Sequence, residues 1–374
     1  MEVNLQQHRV IISGGGTGGH IFPAIAIARA LQKLEPGIEL LFVGAEGRME
    51  MEKVPAAGFK IEGLNISGIK REFSLENLSW PFKLLKSLRK ASDIINRFQP
   101  QAAVGVGGYA SGPLLYKATA KKIPAVIQEQ NSFPGITNKL LAKRVQRICV
   151  AYDEMSRFFP SDKIIKTGNP VREDILHVEG KELEAASYFQ LDNTKPVLLI
   201  VGGSQGARSI NLSIQKDLQK IADAGIQLIW QTGKNFYPEA KKSIEALNNP
   251  SLKAYDFISR MDLAYSICNL VIARGGASTV SELCIVARPA ILVPLPTAAE
   301  DHQTKNCLSL TEKNAAIMVK DSDASTALVN TALQLAKDKS KQQQLIDNIK
   351  PLAITDSAER IAKEVLKLIR NSKF

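Results

Sequence analysis

The chain has 374 residues, 45% of them hydrophobic and 23% charged, with 4 cysteines and a formal net charge of +11. That balance describes a globular protein with room for two domains and excludes a disordered or fibrous chain. No apolar run approaches the roughly 18 residues that span a bilayer, and no CxxC pair points to a zinc knuckle.

The polar opening, Met1 to Arg9, reads as no signal peptide. The scattered Cys149, Cys268, Cys284 and Cys307 read as reduced, packed thiols of a cytoplasmic protein. Charge is unevenly placed: Leu64 to Arg147 holds 14 Lys/Arg against 4 Asp/Glu. Such a local field calls for an anionic partner, a nucleic acid or an acidic membrane surface.

Arg9-Val-Ile-Ile-Ser-Gly-Gly-Gly-Thr-Gly-Gly-His20 predicts strand, tight turn and helix N-terminus, with Pro23 opening a helix that runs to about Leu34. Glycines let backbone approach a ligand, and the N–H groups that start a helix attract anions or polar oxygens. His20 at the rim can reach a bound hydroxyl. Gly14-x-Gly16-x-x-Gly19 satisfies the dinucleotide fingerprint, but the second strand, Ile38 to Val43, ends in Gly44-Ala45 with no carboxylate to hold a ribose. A nicotinamide-dependent oxidoreductase loses ground there; a turn serving only helix–strand packing stays open.

Gly47-Arg48-Met49-Glu50 predicts a second strand-to-helix turn, followed by a strand at Ile61 to Ile66. From Gly68 to Lys90, Phe73, Leu75, Leu78, Trp80 and Phe82 mix with Lys70, Arg71, Lys83, Lys86, Arg89 and Lys90. The pattern suits a bilayer interface, or equally an amphipathic core helix with a solvated charged face. A strand at Ala102 to Val106 enters a second glycine turn, Gly105-Val-Gly-Gly-Tyr-Ala-Ser-Gly-Pro113. Ala125 to Ile127 leads into Gln128-Glu-Gln-Asn-Ser-Phe-Pro-Gly135. Polar groups thus crowd the carboxyl ends of strands, where open α/β sheets bind ligands.

A strand at Arg147 to Ala151 and Ile164-Ile-Lys-Thr-Gly-Asn-Pro-Val-Arg172 finish the first half; residues 173–195 predict a linker or peripheral helix. The opening pattern then recurs in Pro196-Val-Leu-Leu-Ile-Val-Gly-Gly-Ser-Gln-Gly-Ala-Arg208. Strands at Ile226 to Gln231, Leu270 to Ala273 and Pro289 to Pro294 follow, with Arg274-Gly-Gly-Ala-Ser-Thr-Val-Ser-Glu-Leu283 as a further helix start. Ser357 to Arg370 predicts an amphipathic closing helix. Strands and helices alternate throughout, which predicts two α/β units with parallel sheets.

Gly14-Gly-Gly-Thr-Gly-Gly-His20, Gly105-x-Gly-Gly-Tyr109-x-Ser-Gly-Pro113, Glu129-Gln-Asn131, Gly168-Asn-Pro-Val-Arg172, Gly202-Gly-Ser-Gln-Gly-Ala207, Thr279-Val-Ser-Glu282 and Asp301-x-Gln303, in this order, resemble the MurG family of peptidoglycan transferases. The resemblance runs from about residue 9 to 310. It implies a GT-B glycosyltransferase fold, two Rossmann-like domains facing a cleft. The division would be an acceptor and membrane domain at 1–170, a UDP-sugar domain at 171–355, and a helix at 356–374 packing back on the first.

The implied reaction is inverting, metal-independent transfer of N-acetylglucosamine from UDP-N-acetylglucosamine to the 4-hydroxyl of the N-acetylmuramoyl unit of lipid I, giving lipid II. Another UDP-sugar-dependent glycolipid transferase is the alternative, and no cofactor is implied. Carried over by motif, Ser204 would bond the diphosphate, backbone groups of Ile258 the uracil, Glu282 the ribose and Gln303 the sugar hydroxyls. Thr17, Gly18, Gly19, Asn131, Arg172 and Thr279 would complete the donor pocket. Gly15, Gly16, Gly108, Tyr109 and Ser111 would face the acceptor. The implied location is peripheral, on the cytoplasmic face of the inner membrane, with cell-wall synthesis or division proteins as partners and no nucleic acid. Gln128 and Thr304 stand where the family often has His and Gln.

Other readings of these residues remain. Glu282 could be a charge favourable to its own helix dipole, and Arg172 a surface ion pair. His302 beside Asp301 has no second histidine at ligand spacing, which speaks against a metal. An imidazole, whose unperturbed ionisation lies at about 6.5, suits a general base near neutrality, and His20 is the candidate. It could instead cap its helix or bind the acceptor diphosphate, and Glu129 is the rival base.

Overall fold

The computed structural model describes residues 7–66, 80–203 and 206–372. Ser204, residues 67–79 of the basic stretch, and the polar opening as far as Gln6 lie outside the described residues. The chain divides into two compact units, Met1–Arg172 with Asp356–Phe374, and Glu173–Thr355.

In the first unit, strands β1 (Arg9–Gly14), β2 (Glu39–Ala45), β3 (Lys60–Leu64), β4 (Ala102–Gly107), β5 (Ala125–Glu129), β6 (Arg147–Val150) and β7 (Ile164–Lys166) pair in parallel in the order β3-β2-β1-β4-β5-β6-β7. The β-branched run of β1 is buried on both faces, as the middle strand of a parallel sheet must be. Alternation sends its side chains to two cores. Val10 and Ile12 join α1 (Gly18–Leu34), while Ile11 joins α3 (Trp80–Phe98) and α4 (Ser111–Ala120). Two short helices, α2 (Glu50–Ala56) and α5 (Ile136–Leu141), complete the set before the second unit.

Helix α1 begins at Gly18, earlier than Pro23 suggests. The N-cap, Thr17, is extended, and the glycines after it take helical geometry at once, so Pro23 stands inside the helix. Its missing N–H costs one bond to the carbonyl of Gly19.

The second unit is built from β8 (Val197–Val201), β9 (Gln227–Gln231), β10 (Leu252–Tyr255), β11 (Leu270–Ala273), β12 (Ala290–Leu292) and β13 (Ile317–Met318), parallel in the order β10-β9-β8-β11-β12-β13. Its helices are α6 (Glu182–Phe189), α7 (Arg208–Lys216), α8 (Leu218–Asp223), α9 (Tyr237–Leu247), α10 (Met261–Ile267), α11 (Ala277–Val286), α12 (His302–Thr311), α13 (Ala324–Lys337) and α14 (Lys339–Ile349). Residues 173–195 are no free linker. Ile175, Val178, Ala185 and Phe189 enter the core of this unit, and Lys181 and Arg260 both bind the buried Asp262 at 2.9 Å. The last helix, α15 (Ser357–Asn371), returns to the first unit and packs along α1 through Ile361, Ala362, Val365, Leu366 and Ile369. All four cysteines are buried and unbonded to one another, and burial pushes each thiol up to about 12.

Candidate functional site

In each sheet the strand order reverses beside the first strand of the unit, between β1 and β4 and between β8 and β11. At such a switch point the loops leaving the strands part to opposite faces and open a crevice. The glycine loops sit at these two points.

In the first unit, His20 is the third residue of α1, and Thr17 Oγ1 lies 3.2 Å from its Nδ1. In the tautomer whose Nδ1–H donates to this hydroxyl, Nε2 is the basic nitrogen. The imidazole lies over Gly107, whose φ is +110°; a Cβ there would stand 2.5 Å from His20 Cδ2. The second glycine turn therefore leaves room for the ring of the first. Gly18 and Gly19 open the helix with amides that have no acceptor inside it. Gly15 and Gly16, expected to face the acceptor, instead turn their amides inward: Gly15 donates to Gly107 O at 3.3 Å and Gly16 to Glu50 Oε2 at 2.8 Å.

Tyr109 is 46% exposed, with the Arg48 guanidinium 5.9 Å from its ring centroid. Ser111 differs from expectation. Its side chain is fully enclosed against Gly105, so α4 can present only backbone there. Arg172 lies 5.7 Å from the ring of Phe22 on α1, which brings the end of the Gly-Asn-Pro-Val-Arg segment beside the first loop.

Glu129 is 3% exposed. Its Oε1 accepts from the Asn131 amide and side chain at 3.0 and 3.2 Å, and its Oε2 from the Gly135 amide and Asn138 Nδ2 at 3.2 and 2.8 Å. Burial pushes its ionisation upward and these donors pull it back. Two donors on each oxygen leave no lone pair to receive a sugar hydroxyl's proton. The arrangement makes Glu129 the brace of the loop that carries Asn131. Gln128 is equally enclosed; its Nε2 donates to Asn169 Oδ1 and its Oε1 accepts from Gln130 Nε2, both at 2.9 Å. This residue is a tie between loops, which explains how an amide serves where the family often has an imidazole.

In the second unit, β8 gives way to Gly202, whose amide donates to Gln231 O at 3.1 Å, and the loop rejoins the fold at Gly206-Ala207 before α7. Glu282 lies in α11, where the buried Tyr265 hydroxyl donates to its Oε2 at 3.0 Å. Thr279 is the third residue of the same helix. Gln303 accepts from the Leu295 amide at 3.0 Å, and Thr304 donates to Asp301 Oδ1 at 2.6 Å. Ile258 is buried, and its amide, expected to read a uracil edge, donates to Gln231 Oε1 at 3.0 Å.

Sequence reading named the Gly47–Glu50 turn without a role for Glu50 and missed Tyr265 and Gln231, because their contacts with Gly16, Glu282 and Ile258 join residues 34, 17 and 27 apart. An Asp-x-Asp triplet, the pattern that can hold a divalent metal on a diphosphate, does occur at Asp321-Ser322-Asp323. It is committed to the fold: Asp321 receives Arg274 Nη1 at 2.5 Å and the Ser209 hydroxyl, and Asp323 receives Ser322. Among the described residues no three His, Cys, Asp or Glu side chains converge as a metal site, and no helix is long and apolar enough to cross a membrane.

The chain matches the glycosyltransferase family 28 N-terminal domain over residues 10–150 and the C-terminal domain of the same family over 197–365. It is 53% identical, over 98% of its length and 99% of the relative's, to a protein of Parabacteroides distasonis. That protein is named UDP-N-acetylglucosamine--N-acetylmuramyl-(pentapeptide) pyrophosphoryl-undecaprenol N-acetylglucosamine transferase. A protein of the same name in Phocaeicola vulgatus is 54% identical over 98% of this chain and 97% of its own. The crystal structure of Acinetobacter baumannii MurG superposes with a TM-score of 0.75 at 26% identity, covering 96% of this chain and 99% of that one.

Proposed function

Because the chain belongs to glycosyltransferase family 28, we propose that its two switch-point crevices divide one sugar transfer between them. The protein has the GT-B fold and is an N-acetylglucosamine transferase of the MurG type. It moves N-acetylglucosamine from its UDP ester to N-acetylmuramyl-(pentapeptide) pyrophosphoryl-undecaprenol. The assignment of atoms to that reaction is our own reading.

The 4-hydroxyl of the acceptor attacks the anomeric carbon from the face opposite UDP. The new C–O bond forms as the bond to the diphosphate oxygen breaks, the hydroxyl's proton passes to His20 Nε2, and UDP leaves with the bonding pair. The observation that carries this reading is the His20 imidazole, poised by Thr17 at the crevice of the first unit. The Gly18 and Gly19 amides, implied by the resemblance for the donor pocket, stand at the positive end of α1, and we assign them to the acceptor's diphosphate instead. In the second unit, Glu282 held by Tyr265 accepts from the ribose hydroxyls. The positive end of α7 balances the charge on departing UDP, so no divalent metal is required. Glu129 holds Asn131 in place and takes no proton.

We assign membrane contact to one face of the first unit, where α3, α4 and α5 lie side by side. Phe82 is 75% exposed and Leu140 74%, with Leu85, Tyr116 and Ile136 also open to solvent. Lys83 and Lys86 stand among them, the Lys139 ammonium sits 4.0 Å from the ring centroid of Phe133, and Arg144 covers Tyr116. Apolar side chains ringed by cations suit an anionic bilayer surface. Within the basic stretch, the exposed Phe82 and Leu85 at the start of α3 support the interfacial reading, and Leu84, packed partly buried against the core, supports the other. Ala91, Ile94 and Ile95, beyond the stretch, seat the rest of α3.

The test is incubation with UDP-N-acetylglucosamine and a soluble lipid I analogue, followed by mass spectrometry. The acceptor should gain one N-acetylhexosamine, undiminished by EDTA. No mass gain, or loss restored by Mg²⁺ or Mn²⁺, would count against the reading.

A further inference from the structure

We propose that Glu50 is a positioning residue for the acceptor crevice, setting the first glycine loop from behind. Its residue is 1% exposed, at the start of α2. One carboxylate oxygen accepts from the Ala45 amide at 3.0 Å, where β2 ends, and the other from the Gly16 amide at 2.8 Å. The backbone around it is bare of side chains. A Cβ at Gly15 would overlap the carboxylate, and one at Gly44 would stand 2.5 Å from Glu50 Cγ. Two glycines therefore leave a socket that the Glu50 side chain fills.

The same turn reaches the second glycine loop. Arg48, two residues earlier, lies over Tyr109. Gly47-Arg48-Met49-Glu50 thus holds the first loop through Glu50 and touches the second through Arg48, although none of its side chains is assigned to a substrate. The consequence is chemical. With Gly16 held inward by Glu50 and Gly15 by Gly107, the amides presented outward are those that begin α1, and His20 follows them by one residue. A shift of the loop would move the amides and the imidazole together. A displacement of about 1 Å at a reacting group can cost on the order of 100-fold in rate.

This inference rests on the first crevice being the reaction site, so His20→Ala is measured alongside. The full-length protein is assayed with UDP-N-acetylglucosamine and the soluble lipid I analogue, recording kcat, acceptor KM, UDP Kd by calorimetry, and Tm. Glu50→Gln retains the shape but offers one amide a donor instead of an acceptor. It should lower kcat about 10–100-fold per folded molecule, with UDP Kd within about twofold of the parent. Glu50→Asp, one methylene shorter with both acceptor oxygens kept, should recover part of that loss.

Gly15→Ala should be damaging in the parent but add little further loss in a Glu50→Ala background, where its methyl has room. Both expectations must hold. Turnover per folded molecule within twofold of the parent in Glu50→Gln, or a Gly15→Ala cost unchanged by Glu50→Ala, overturns the inference. If Glu50→Gln does not fold, the Glu50→Asp rates and the Gly15 pair decide it. Unchanged turnover in His20→Ala would instead remove the underlying reading of the crevice.

Discussion

At the scale of single residues, the proposed roles follow from what holds each side chain. His20→Ala should lower kcat by about 10²–10⁴-fold, the usual contribution of a general base. It should also abolish the acidic limb of the pH–rate profile and leave UDP binding nearly intact. A mutant that retains that limb and loses less than about tenfold would hand proton removal to solvent. Glu282→Ala should weaken donor binding by roughly 1.5–3 kcal/mol, the range for a charge-assisted hydrogen bond. Tyr265→Phe should cost about 0.5–1.5 kcal/mol by loosening the same carboxylate. Calorimetric titration with UDP-N-acetylglucosamine measures both, and equal affinities across the three proteins would return Glu282 to a purely helical role. That His20 and Glu282 stand on helices opening from glycine turns was legible in the sequence, because the turn and the helix start carry a local signature. Glu50 and Tyr265 were not, since their partners are set by strand order. Nor could composition say that the Ile258 amide meets Gln231, 27 residues earlier.

At the scale of elements, the strand-turn-helix pattern was readable because β-branched runs and glycines carry it in sequence. The boundary of α1 was misplaced because Pro23 resembles a helix start wherever it stands near one. The attachment of α6 was open because a polar surface helix hides its two core residues, Ala185 and Phe189. Its junction with α10 makes a pH prediction. Arg260, and then Lys181, hold Asp262 well below the usual carboxylate range. Stability from a carboxyl so depressed is present above its unfolded value, near 3.9, and is lost as pH falls below it. Asp262→Asn should therefore lower Tm by roughly 2–4 °C at pH 7, with the difference shrinking toward pH 3. A difference that is the same at both pH values would mean packing, not charge, is lost. On the surface formed by α3 and α5, replacing Phe82 and Leu140 together by Ser should reduce flotation with anionic vesicles several-fold while sparing turnover of a soluble acceptor. Full retention on vesicles would make the patch an ordinary solvent face.

At the scale of the whole molecule, the first unit is discontinuous in sequence. Four large apolar side chains of α15, at Ile361, Val365, Leu366 and Ile369, are buried in it. At about 1.5–3 kcal/mol each they represent roughly 6–12 kcal/mol, comparable with the 5–15 kcal/mol that keeps a typical domain folded. Ending the chain at Thr355 should unfold or severely weaken the first unit while Glu173–Thr355 keeps its own transition in calorimetry. One unchanged transition would contradict this. The same arrangement has a consequence during synthesis. The ribosome makes the sheet of the first unit early, but the helix that covers α1 arrives only after the second unit has been translated. At 5–20 residues per second that is a wait of about 10–40 s. Through that interval a nascent chain carries the first glycine loop on a helix layer that α15 does not yet cover.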